Sequence, residues 1–137
     1  MKLEINYAQK TGTIKQALSK MFPFLKIEFF NTEHAPDEPT SKDHLVHDNM
    51  VIGEINGIVK EGSITIHPND IVAVVEQSFQ QKFGLAVQVF RKQNNVWIET
   101  TKTDQLTLAE QNEKGKLASA SPVYTEPGDR YLEDGQY

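Results

Sequence analysis

The sequence predicts an α+β domain made of two strand–helix–strand units. This is the split βαβ or ferredoxin-like plan, extended by a C-terminal hairpin strand and short helices. Three observations predict it. Two stretches overlay at a shift of 61 residues, with Leu3, Glu4, Ile5 and Phe22 on Ile64, Thr65, Ile66 and Phe83. After one gap, Leu25, Ile27, Phe29 and Phe30 fall on Leu85, Val87, Val89 and Phe90. Each stretch also places one apolar helical stripe before one alternating strand, the two periods that separate helix from strand.

The elements follow in order. A short strand holds Leu3 and Ile5. Thr13-x-x-Gln16 then reads as a capping box, in which two side chains satisfy otherwise orphaned N–H groups. Ile14, Ala17, Leu18, Met21 and Phe22 form one apolar stripe, and Pro23 stops the helix. In FLKIEFF, Leu25, Ile27 and Phe29 alternate with Lys26, Glu28 and Phe30, which predicts one buried and one wet face. A short helix is expected near 49–57. The second unit opens with SITIH. Its helix follows Pro68, with Asn69 or Asp70 as cap, the stripe Ile71, Val75, Phe79 and Phe83, and Gly84 at C′. LAVQVF is the next strand. Asn94-Asn95 tolerates positive φ and suits a tight hairpin to VWIETT, residues 96–101. Thr107-x-x-Glu110 is a second capping box for a helix near 107–114, and Gly115 ends that run.

Composition limits the function. The chain has 137 residues, so one domain is expected, over 1–115. Net charge is −5, from 14 Lys and Arg against 19 Asp and Glu. The acidity sits in a loop, 31–49, and a tail, 116–137. Both are rich in Pro, Ser, Thr, Asp and Glu, which bury too little apolar area to offset chain entropy, so both are expected to be mobile. A polyanion binder needs clustered Lys and Arg, so nucleic acid is not an expected partner. There is no cysteine, which removes disulfides, thiolate metal sites and Cys nucleophiles. No apolar run approaches the ~20 residues of a membrane span. The first ten residues lack the apolar core of a signal peptide, and a cytoplasmic protein is expected.

The segments MFPFLKIEFF, KFGLAVQVFRK, NNVWIETT and TLAEQNEKG together resemble a set of small uncharacterised bacterial proteins. The resemblance spans roughly residues 1–115 and implies a bacterial domain of defined fold, but no activity, cofactor or site residue. Separately, ITIHPND resembles the strand-to-helix entry of β-grasp domains, which is the alternative architecture.

Site candidates come from strand register. A two-residue turn at 94–95 pairs Lys92 with Trp97, Arg91 with Ile98 and Phe90 with Glu99. Phe30, Phe90 and Trp97 then gather on the face expected to be wet, with Glu28 and Glu99 beside them and Arg91 and Lys92 as a basic spot at the hairpin tip. A bare aromatic patch marks a contact surface. The leading expectation is a non-catalytic module that binds a protein or peptide, or a second copy, through this face or along the outer strand 96–101. The alternative is a small-molecule binder or small enzyme using Glu28 and Glu99. It predicts a concave pocket. A third reading makes the aromatics a second small core under residues 103–115. His44-x-x-His47 has metal-ligand spacing on a helix but lacks a fixed frame, so no metal and no cofactor are expected.

Overall fold

The computed structural model describes residues 1–30, 45–55 and 59–120, and the backbone of 130–131. In chain order the elements are β1 (Lys2–Ile5), α1 (Thr11–Met21), β2 (Leu25–Phe30), a 3₁₀ turn (Ile52–Glu54), β3 (Gly62–Thr65), α2 (Val72–Phe83), β4 (Ala86–Gln93), β5 (Val96–Glu99), a second 3₁₀ turn (Thr101–Thr103), α3 (Leu108–Ala120) and β6 (Arg130–Tyr131). The class is α+β, with three helices and two antiparallel sheets among the described residues.

Each sheet joins corresponding strands of the two units. β1 pairs with β3, and β2 pairs with β4, which continues to β5 and β6. A ferredoxin-like sheet would hydrogen-bond the two pairs into one, but the described strands stay in two sheets. Leu3 lies directly opposite Ile64, and Glu28 directly opposite Gln88. Both are pairs that the sequence overlay brings together.

Both sheets, α1 and α2 contribute to one core. Leu3, Ile5, Ile64 and Ile66 meet Ile14 and Leu18 of α1, Val75, Phe79 and Phe83 of α2, and Leu25, Ile27, Phe29 and Val89 of the second sheet. Phe79 sits edge-on to Phe29 at 6.2 Å and to Phe83 at 5.7 Å, an arrangement that suits the ring quadrupoles.

The helices begin where remote backbone lets them begin. α1 starts at Thr11, ahead of the Thr13 box, and Lys10 at its N-cap makes no side-chain cap. Thr11 N–H donates to Met50 O and Gly12 N–H to Asp48 O, both at 3.0 Å, so the returning segment satisfies the first amides. α2 starts at Val72, not after Asn69 or Asp70. Val72 N–H donates to Leu106 O at 3.0 Å and Ala73 N–H to Asp104 O at 2.9 Å. Asp70 instead closes a local turn, accepting from His67 N–H at 2.8 Å.

The same clamp thus recurs. Ile52 and Gly53 donate back to Gln9 O and Tyr7 O, as Leu108 and Ala109 donate back to Asp70 O and Pro68 O. The Lys10–Val51 bridge matches the Ile71–Thr107 bridge. Residues 45–49, expected to belong to a loose loop, form part of this clamp and of the β2 edge. Leu45 bridges Phe30, and buried Val46 donates to Phe29 O at 2.8 Å. Residues 31–44 lie outside the described residues.

Other expectations hold at the backbone. Gly84 has φ 71° at the end of α2, and Asn94 and Asn95 have φ 52° and 67°. The second capping box forms: Glu110 N–H donates to Thr107 Oγ1 at 3.1 Å and Thr107 N–H to Glu110 Oε1 at 2.9 Å. Two differ. The helix expected near 49–57 is one 3₁₀ turn. α3 also runs through Gly115 to Ala120, because Gly115 is where the helix lies against the sheet. A Cβ there would stand 2.7 Å from Lys92 O and 2.9 Å from Phe24 Cβ.

Candidate functional site

The β2–β4–β5 register places Lys26, Glu28, Phe30, Gln88, Phe90, Lys92, Trp97 and Glu99 on one face of the second sheet. The face is not wet. All six residues of β2 are buried, so the expected alternation fails there. Phe30 and Phe90 pack with Leu45, Ala86 and the half-buried Trp97 as a second hydrophobic cluster. That cluster does not lie under residues 103–115. α3 packs on the other face, against Phe24 and Arg91.

Charge runs through this layer. Lys15 reaches over from α1 and donates to Glu28 Oε1 and to Asp48 Oδ1, each at 2.5 Å. Lys26 Nζ stands 3.0 Å from Glu28 Oε2 in a further ion pair. The same ammonium lies 4.7 Å from the Trp97 ring centre and 5.6 Å from that of Phe90, within cation–π range. The Glu28 side chain is 1% exposed and is held between two lysines. Burial opposes the charge on Lys15, but its hydrogen bonds to Asp48 and Glu28 outweigh that and raise its pKa above the usual lysine value. Burial lowers the pKa of Lys26, and Glu28 does not fully offset it.

A cavity of about 340 Å³ opens beside this network. Lys15, Glu28 and residues 45–49 line it. It joins one buried carboxylate, one shared ammonium and the exposed polar groups of His47, Asp48 and Asn49. Such a site can orient a small polar ligand against fixed charges.

The other expected residues fall as follows. Glu99 is half-buried on the same face, opposite Phe90. Arg91 is fully buried on the opposite face, where it donates to Gln111 Oε1 at 2.8 Å and Gln93 Oε1 at 3.3 Å. It therefore makes no basic spot with Lys92, because strand alternation sends neighbours to opposite faces. The outer strand is not a free edge: Ile98 and Glu99 pair with Tyr131 and Arg130 of β6. His47 lines the cavity, and His44 lies outside the described residues. Among the described residues no cluster of three or more His, Asp or Glu could hold a metal ion. None of their helices is long and apolar enough to cross a membrane.

Sequence reading missed Lys15, Lys26 and Asp48. Lys26 carried a signal, since it shares a strand face with Glu28. Lys15 and Asp48 carried none, because the clamp that joins them is tertiary. Comparison with protein-family models, curated proteins and solved structures finds no match to the chain.

Proposed function

We propose that the chain is a non-catalytic small-molecule-binding domain, with its ligand in the cavity beside Glu28. The observation that supports this is a carboxylate held almost fully buried between two lysines in the wall of a 340 Å³ concavity. Burying such charge is costly and is weak evidence for stability alone, which favours a role in recognition. The reading of the same face as a protein, peptide or homodimer contact loses weight, because Phe30 and Phe90 are already covered and β5 already has a neighbour. The scaffold is read as two copies of one βαβ unit, each closed by its own clamp. The matched hydrogen bonds of the two clamps support that reading.

The test is ¹H–¹⁵N NMR of the full chain against a panel of small polar metabolites (carboxylates, amines, amino acids and sugars). A ligand is expected to shift the amides of residues 45–49, and Asn49→Trp in the exposed lining is expected to abolish those shifts. A panel that moves none of these amides, or shifts that survive Asn49→Trp, would overturn the reading.

A further inference from the structure

Among the described residues the first sheet has only β1 and β3, so each strand leaves one edge outside the ladder. Which groups lie on those edges follows from alternation. Met1 N donates to Ile66 O at 2.9 Å and Ile66 N–H donates to Met1 O at 2.7 Å, so these residues form a hydrogen-bonded pair. Two residues on, Leu3 and Ile64 form the next such pair, and Ile5 and Gly62 the one after. The N–H and C=O groups of Lys2 and Glu4 therefore point away from β3, and those of Ser63 and Thr65 point away from β1. Asn6 is next in the outward series of β1, and its N–H turns to Gln9 Oε1 at 3.3 Å.

The two edges carry different side chains. β3 presents Ser63 and Thr65, which are uncharged. β1 presents Lys2 and Glu4, whose side chains are each 66% exposed and whose charged ends lie 3.7 Å apart. Leu3, between them, is turned into the core. Charge of one sign on this edge would repel a second copy of it. Here the signs are opposite and stand symmetrically about Leu3, which makes the edge complementary to itself.

We propose that β1 is a homodimer edge, at which two copies of the chain pair antiparallel about Leu3 into one four-stranded sheet. In that register Lys2 faces the partner's Glu4, and Glu4 faces the partner's Lys2. The outward groups of these residues then meet as hydrogen-bonded pairs, which gives four backbone hydrogen bonds. Each pair also sets an ammonium directly across from a carboxylate, a favourable cross-strand combination. The contact is isologous and closes at two copies. Pairing β1 on the partner's β3 would be heterologous, and it would leave both charges without a cross-strand counterpart. One four-residue strand buries far less than a standard interface, so the dimer is weak, with a Kd of about 0.1–1 mM. The edge belongs to the other sheet from the face around Phe30 and Phe90, and the proposal is independent of any ligand beside Glu28.

The test is sedimentation equilibrium of the full chain from about 0.02 to 1 mM, with amide hydrogen exchange at both ends of that range. The weight-average mass is expected to climb from 15.5 kDa towards twice that value. Exchange at Lys2 and Glu4 is expected to slow severalfold with concentration, while exchange at Ser63 and Thr65 stays level. Lys2→Glu and Glu4→Lys each set like charges across the axis, and each is expected to weaken self-association about tenfold or more. Mixed together, these two variants carry opposite signs and are expected to associate as well as the parent chain. A mass that stays at 15.5 kDa at about 1 mM, self-association unaltered by either variant, a mixture that stays monomeric, or slowing at Ser63 and Thr65 would overturn the proposal.

Discussion

Glu28 sits at a junction of buried charges. Its carboxylate is nearly sealed from water, and its two oxygens face two different lysines. Such an arrangement is stable only while both signs are present, since a lone buried charge keeps its desolvation cost without its partner. Lys15→Met is therefore expected to destabilise the protein by about 3 kcal/mol in urea unfolding. Lys15→Met combined with Glu28→Gln should cost less than the two single changes added together, with a coupling of about 1–3 kcal/mol. Strict additivity would show that the 2.5 Å contact carries no energy. Arg91 has a different environment on the other side of the same sheet. Its guanidinium donates to the amide oxygens of Gln111 and Gln93, and the first of these bonds fastens α3 to β4.

At the scale of elements, helix positions were legible but helix starts were not. The stripes of α1 and α2 identify themselves, because apolar residues at helical spacing have one good place to go. The amides at the two N-termini are satisfied by carbonyls of Asp48, Met50, Asp104 and Leu106, which lie far along the chain. No local rule finds such partners, so Thr13 and Asp70 looked like caps. The Thr107 box is local and was read correctly. Strand register was legible from the Asn94-Asn95 turn, and with it the meeting of Phe30, Phe90 and Trp97. Their burial was not, because cover is supplied by tertiary neighbours such as Leu45. Gly115 illustrates the same limit. As a helix-interior glycine, its change to Ala would ordinarily stabilise by about 0.5–1 kcal/mol. Here the new Cβ would press on Lys92 O, Phe24 Cβ and Arg91 Cγ. Gly115→Ala is expected to destabilise by about 1–3 kcal/mol, while Glu113→Ala on the same helix should change stability by less than ~0.5 kcal/mol. A stabilised Gly115→Ala protein would mean that α3 stands further from the sheet.

For the whole molecule, the two halves handle buried charge differently. The first is held by ion pairs of Lys15 with Glu28 and Asp48. The second contains Glu76, whose pKa rises from 4.5 to about 7 on folding, chiefly through burial. The sign follows from proton binding. Between those two values the unfolded chain has released the Glu76 proton and the folded chain still holds it, so folding takes up a proton. Stability from this group is complete below pH 4.5, declines as pH rises, and is lost once pH passes about 7. At about 1.4 kcal/mol per unit, the loss is on the order of 3 kcal/mol. That is a large share of the roughly 5–15 kcal/mol by which a domain is usually stable. The expected result is a urea midpoint clearly higher at pH 5 than at pH 8, with Glu76→Gln removing most of the difference. A wild-type midpoint that rises with pH over this interval would mean that Glu76 is ionised in the folded state, with water already at its side.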